Sequence, residues 1–283
     1  MLSERQVSFF SRFGFVVLPG WFSGAENEVL IKEGLSEIDR IYHDREGGPK
    51  GKWAPLIGAS TPFHASLLGP ERFLPLAEQL MGRDIYGVLS DILLWEGDTG
   101  WHRDQDVPCD TGIKFLYYPE KHLTADCGAL RVLPGTHVDD EFRRQIPDEL
   151  ETIPVSASEF TEDRLTATHE VLEKKMPSEN WCAIVETAPG DVIAFATPLY
   201  HSSFNGASGR MICATIYFVK PSTPEGIESR RQEAEIIPKN HQKMFNYPAG
   251  RTFHSPEWVR TIQDDPARRH WIDALKETGW LSL

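Results

Sequence analysis

Residues 181–219 read WCAIVETAPGDVIAFATPLYHSSFNGASGRMICATIYFV. Three apolar segments stand out in this stretch: Trp181–Glu186, Asp191–Ala196 and Met211–Val219. Each is too short for a free-standing helix, and each is bounded by turn-forming residues, Pro189-Gly190 between the first two and Thr197-Pro198 after the second. That combination predicts strands. Working upstream, Ile85–Trp95, Ile113–Tyr118 and Ala129–Leu133 repeat the pattern, with Pro134-Gly135 as a further turn. A run of short strands punctuated in this way predicts an antiparallel sandwich or barrel.

Outside the strands, residues 138–180 are polar, mix both charge signs and hold few large apolar residues. They are expected to form an insertion with one or two surface helices. Towards the N-terminus, Ser3 caps a short helix ending at Phe13, with Gln6 completing a capping box and Gly14 stopping the helix. Phe15–Leu18 is then a strand, and residues 24–41 an amphipathic helix with Val29, Leu30, Leu35 and Ile38 as its apolar stripe. Residues 47–58, rich in Gly and Pro around Trp53, are expected to form a loop at the rim of a pocket, and 65–81 a further helix. The tail after Pro221 is charged with scattered aromatics, and Trp258–Gly279 is expected to supply helices packed on the sheet or across a partner subunit. The organisation predicted is one catalytic domain over 1–283: N-terminal helices and strand over 1–84, a core over about 85–219, and a helical extension over 220–283.

A chain of 283 residues with this apolar content can bury a sizeable core. The formal charge of −13 argues against a nucleic-acid partner and weakly against an anionic membrane surface. The N-terminal residues lack the basic and apolar regions of a signal peptide, and no apolar run reaches membrane-spanning length. Cys109, Cys127, Cys182 and Cys213 lack the spacing of a zinc site and read as free thiols. The expectation is a cytoplasmic protein, monomer or homo-oligomer, that acts on a small molecule.

The chemistry is carried by Gly100-Trp101-His102-Arg103-Asp104. In extended chain, residues two apart face the same way, which sets the His102 imidazole beside the Asp104 carboxylate. A third ligand has to come from another strand, and His201, after an apolar strand and a turn, is the best candidate. Two imidazoles and one carboxylate leave three positions of a six-coordinate metal open, the arrangement of non-haem Fe(II) oxygenases. The same residues also suit zinc in a hydrolase or isomerase on a cupin-like barrel. A His-x-Asp pair is otherwise common as a surface histidine beside a turn aspartate, so a non-catalytic binding module stays open at this point.

Four ordered segments raise the specificity. Trp101-His102-Arg103-Asp104, then Gly128–His137 (GALRVLPGTH), then Pro189–Phe195 followed by His201, and finally Asn205, Ser208 and Arg210, together with the opening Phe9–Leu18, resemble the phytanoyl-CoA dioxygenase family over roughly residues 6–219. The resemblance implies a mainly β fold with flanking helices, a double-stranded β-helix or jelly roll of cupin type. It implies dependence on Fe(II), held by His102, Asp104 and His201, with 2-oxoglutarate and O₂ as co-substrates. It implies that Arg210 pairs with the distal carboxylate of 2-oxoglutarate, a role suited to a guanidinium fork, with Ser208 adding a hydrogen bond. An aspartate at 104 implies oxygenation rather than halogenation, which needs that coordination position vacated.

Further candidates follow from position. Lys114 and Tyr118, four apart on one strand, share a face and are candidates to meet co-substrate or substrate; the alternative is a surface lysine and a packed tyrosine. Gln105, Asp106, Asn205 and Trp53 are candidates for the substrate pocket, with Asn205 also suited to fixing a turn. His64 is a candidate for the rim, and Arg251, His254 and Trp258 for a lid. No basic cluster suited to the phosphates of an acyl-CoA is visible, which favours a small or secondary metabolite as substrate.

Overall fold

The computed structural model describes all residues except 83, 106–110, 139–145, 147–149, 177–179, 251–252 and 282–283. Asp106, Cys109 and Arg251 therefore lie outside the described residues.

The first helix and strand match the N-terminal reading. Helix α1 (Glu4–Phe13) carries the Ser3/Gln6 capping box, and Gly14 ends it at φ 81°. Strand β1 (Phe15–Leu18) follows at once. Helix α2 (Gly24–Tyr42) buries Leu30, Gly34, Ile38 and Ile41, whereas Val29 and Leu35 face solvent. The expected stripe was thus rotated. Gly34 decides the buried face, because a Cβ there would come within 2.6 Å of Ile92 Cδ1 on the sheet beneath. The expected helix over 65–81 is two short ones, α3 (Pro62–Leu67) and α4 (Leu74–Met81), broken around Gly69-Pro70.

Two sheets form the core. The larger runs β1-β9-β5-β11-β3-β2, the smaller β4-β10-β6-β8-β7. Their remaining strands are β2 (Gly51–Pro55), β3 (Ile85–Trp95), β4 (Thr99–His102), β5 (Gly112–Tyr117), β6 (Leu130–Val132), β7 (Glu151–Ser156), β8 (Trp181–Glu186), β9 (Val192–Ala196), β10 (His201–Ser203) and β11 (Arg210–Val219). Every pairing among them is antiparallel except β7 with β8. This is the double-stranded β-helix with flanking helices.

Two segments depart from expectation, and a third carries the expected helical extension over 220–283. The 47–58 segment is not all loop: residues 51–55 pair with β3 as an edge strand. The polar stretch after 138 contributes β7 and then α5 (Leu165–Lys175), so part of it belongs to the smaller sheet. After β11 the long α6 (Pro224–Phe245) precedes α7 (Pro256–Asp264) and α8 (His270–Glu277). Pro238 inside α6 argues against a helix on sequence grounds, since proline removes one backbone hydrogen bond.

The larger sheet is covered on its outer face by α3, α4 and α8. Alternate residues of β3 therefore meet two buried surroundings, Val88, Ser90 and Ile92 on one side and Leu89, Asp91 and Leu93 on the other. Burial on both faces explains why this strand is apolar almost throughout instead of alternating. No described helix is long and apolar enough to cross a membrane.

Candidate metal centre

Strand pairing builds the site. β4 and β10 are antiparallel neighbours, and His102 lies directly opposite His201 in their register. Their rings stand 4.3 Å apart, centroid to centroid. Asp104 lies two residues past the end of β4, where its backbone N–H donates to the Thr197 carbonyl at 3.1 Å. Chain leaving β9 thus pins the aspartate that the simple strand argument placed by alternation.

Donor atoms converge. Asp104 Oδ1 stands 3.8 Å from His201 Nε2 and 4.0 Å from His102 Nε2, and all three ligand atoms fall within 4.8 Å of one another. Each imidazole is oriented by a backbone carbonyl on its far side: His102 Nδ1 to Gly100 O at 2.8 Å, His201 Nδ1 to Leu199 O at 2.9 Å. A carbonyl only accepts, so Nδ1 carries the proton and the Nε2 lone pair faces the centre. Burial holds His201 neutral, its pKa pushed down to about 4. Burial also acts to raise the Asp104 carboxyl, but Lys114, His201 and His102 outweigh it and hold that pKa at about 2. Two imidazoles that turn Nε2 inward, beside an ionised carboxylate, are the donor set that a divalent metal of the first transition row requires.

Lys114 does not stand free to meet a co-substrate. Its Nζ lies 2.7 Å from Asp104 Oδ2, the oxygen turned away from the two imidazoles.

At the other side of the site Arg210, first residue of β11, is buried. Its Nη1 donates to Gly97 O at 3.0 Å, while Nε is buried without a hydrogen-bond partner among the described residues. Two glycines make room for it. A Cβ on Gly206 would come within 2.0 Å of Nη1, and one on Gly128 within 3.2 Å of the Arg210 side chain. An unsatisfied guanidinium nitrogen in a cradle that side chains would fill fits a dicarboxylic co-substrate beside the metal.

Triad and Arg210 open into one cavity of about 450 Å³. Of the other anticipated residues, Lys114, Tyr118, Gln105 and Trp53 line it. Gln105 accepts a hydrogen bond from Thr197 Oγ1. Two of the residues anticipated for the co-substrate or the substrate pocket do not reach the cavity. Ser208 is exposed in the turn before β11, where its hydroxyl accepts from Lys121. Asn205 is also exposed, adopts φ 65° and donates to Ala125 O, so it fixes the turn. The loop from β10 to β11 curls outward, which carries both side chains away from the metal side. His64 is buried behind the sheet between Leu30 O and Tyr117, and His254 is buried against Val88 O, so neither forms a rim or a lid; Trp258 is likewise buried outside the cavity.

Other lining residues escaped the sequence reading. Asp91 lies in the cavity wall within β3, and α6 contributes Glu233, Ile237, His241, Met244 and Phe245. A lone carboxylate inside the apolar run Ile85–Trp95 was a usable signal for Asp91. The four-residue spacing of 233, 237 and 241 was one for α6, masked by Pro238.

A family model described as phytanoyl-CoA dioxygenase (PhyH) matches residues 10–212. No curated protein matches the chain in sequence. Solved structures with a similar fold include HygX from Streptomyces hygroscopicus, with nickel and 2-oxoglutarate bound (18% identity, 77% of this chain and 87% of that one, TM-score 0.54). Others are the non-haem α-ketoglutarate-dependent carbocyclase SnoK from nogalamycin biosynthesis (20%, 81% and 91%, TM-score 0.53) and EctD from S. alaskensis in its apoform (21%, 78% and 80%, TM-score 0.54).

Proposed function

Because the chain belongs to the phytanoyl-CoA dioxygenase family, and with it to the Fe(II)- and 2-oxoglutarate-dependent oxygenases, we propose that it hydroxylates a small organic or secondary metabolite at an unactivated carbon. The observation that carries this reading is the convergence of His102, Asp104 and His201 in one cavity with a buried, partly unsatisfied Arg210.

His102 and His201 present Nε2 to the metal, and Asp104 presents Oδ1 as the single anionic ligand. Arg210 takes the distal carboxylate of 2-oxoglutarate with its guanidinium group, whose Nε is the unfilled donor. When bound, Fe(II) would activate O₂, which is the oxidant: one oxygen atom would pass to 2-oxoglutarate as it is decarboxylated to succinate and CO₂, and the other to the substrate as its new hydroxyl group. The chain contributes orientation and a dry environment. Leu116, Phe195 and Ile216 form apolar wall around the polar centre and exclude water from it. A protein ligand at position 104 favours oxygen transfer over halogenation.

The test is succinate release from 2-oxoglutarate by anaerobically prepared, Fe(II)-loaded protein after air is admitted. Succinate is expected from the wild type and not from His102→Ala. The same samples should show the visible charge-transfer band of an Fe(II)–2-oxoglutarate chelate. Fully metal-loaded wild type that gives neither succinate nor band would refute the assignment.

A further inference from the structure

Beyond the metal, the cavity continues to a second polar group. Asp91 is buried on β3 between Leu89 and Leu93 and lines the cavity with them. Its Oδ2 accepts the Trp53 indole N–H at 2.8 Å, but Oδ1 is buried with no hydrogen-bond partner among the described residues. A carboxylate oxygen in that position is costly until a donor reaches it. Trp53 in turn stacks on His241 of α6, ring centroids 4.0 Å apart. Ile237 and Met244, on the same helical face as His241, complete an apolar wall opposite the barrel. Glu233 on this face is already paired, with Arg230 Nη1 at 2.7 Å.

Charge limits what this end of the cavity accepts. Among the described residues, its lysine and arginine lining is Lys114 and Arg210. Lys114 is paired with Asp104, and Arg210 is assigned to the co-substrate. An acidic substrate would meet Asp91 with no cation left to balance it.

Resting on the reading of the metal end given above, we propose that the substrate is a largely apolar molecule without an acidic group. It donates a hydrogen bond from a hydroxyl or ammonium group to Asp91 Oδ1, and it lays its skeleton against the Ile237–His241–Met244 face of α6. Asp91 and this helix face thereby select the substrate, and the bond between Asp91 and Trp53 holds the acceptor in place.

Two matched probe sets test this: naphthylmethylamine, naphthylmethanol and naphthoate, and the corresponding adamantyl amine, alcohol and carboxylate. Binding is read from the shift each causes in the Fe(II)–2-oxoglutarate band, independently of turnover. For at least one skeleton, the amine or the alcohol should bind about tenfold or more tightly than the acid, the effect of one well-made hydrogen bond to a charged group. Preference for amine over alcohol identifies a cationic substrate, and the reverse a neutral one. Asp91→Asn, with a thermal melt like that of wild type, should abolish most of that preference. Should the variant fail to fold, Ile237→Trp on the partly buried face of α6 should weaken binding of amine and alcohol alike. Acids binding as tightly as their partners, no probe shifting the band, or a preference untouched by these substitutions would overturn the proposal. Absence of the band before any probe is added would instead overturn the iron and 2-oxoglutarate reading.

Discussion

Lys114 Nζ lies 2.7 Å from Asp104 Oδ2, while Asp104 Oδ1 faces the Nε2 atoms of both triad histidines. The lysine holds one carboxylate oxygen aside and leaves the other for the metal. Lys114 is therefore a positioning residue, acting through Asp104. Removing an outer partner of a metal ligand typically costs about 10–100-fold in metal affinity. Lys114→Met should weaken Co(II) or Fe(II) binding by that order, because Asp104 Oδ2 loses its buried partner. Lys114→Arg should recover part of the loss. Metal titration followed by absorbance separates this from a fold defect, and unchanged affinity in Lys114→Met would contradict the role.

The cradle around Arg210 makes a sharper test than removing the arginine itself. A Cβ at Gly206 would fall 2.0 Å from Arg210 Nη1 and 2.4 Å from Gly97 O. Gly206→Ala should push the guanidinium off its station and raise the KM for 2-oxoglutarate by about tenfold or more, as expected when a charge-assisted hydrogen bond is lost. Metal affinity measured without co-substrate should barely change. Arg210→Lys, which keeps the charge but not the fork, should show the same pattern. Equal losses in metal and co-substrate binding would point to collapse of the site instead.

Stability should fall on acidification between about pH 6.5 and 4. Burial pushes His64, His201, His241 and His254 down to about 4 from the ordinary value of 6.5. Within that window the unfolded chain binds protons that the native chain refuses, so unfolding is favoured as pH drops. Each such histidine contributes up to about 1.4 kcal/mol per pH unit. Asp91 works in the opposite direction between about 3.8 and 6, since burial raises its carboxyl to about 6 and the native state binds that proton more tightly. Four groups against one leave a net loss. Urea denaturation of metal-free protein at stepped pH should show it, and His64→Gln should flatten the slope by about one proton. Stability that is level from pH 7 to 4.5 would contradict this.

α8 packs closely on the sheet at Gly87. A Cβ there would meet Trp271 at 2.7 Å and Leu68 at 2.9 Å, both of them fully buried. Overpacking of this kind costs about 1–3 kcal/mol. Gly87→Ala should lower the melting temperature by several degrees. Fe(II)–2-oxoglutarate binding by the folded fraction should survive, because the contact lies on the far side of the sheet from the cavity. An unchanged melt would show that α8 docks less tightly than this packing indicates.

Local signals in the chain were enough for much of this. Ser3 with Gln6 and Gly14 delimits α1, and Pro-Gly pairs and apolar runs mark β8, β9 and β11, because capping, turn chemistry and strand pattern act over a few residues. The metal triad His102, Asp104 and His201 was legible through an ordered set of motifs. Position along the chain did not reveal which candidates share a space. Ser208, two residues before Arg210, turns outward, while Asp91 and His241, 150 residues apart, wall one cavity with the metal triad. Strand register sets His102 against His201, the strand's two buried faces conceal Asp91 among leucines, and docking of α6 over the barrel brings in Ile237 and His241. Local sequence determined most of the elements and the metal-binding groups. Their company depended on pairing and packing between distant segments, whose free energy exists only once the whole fold has closed.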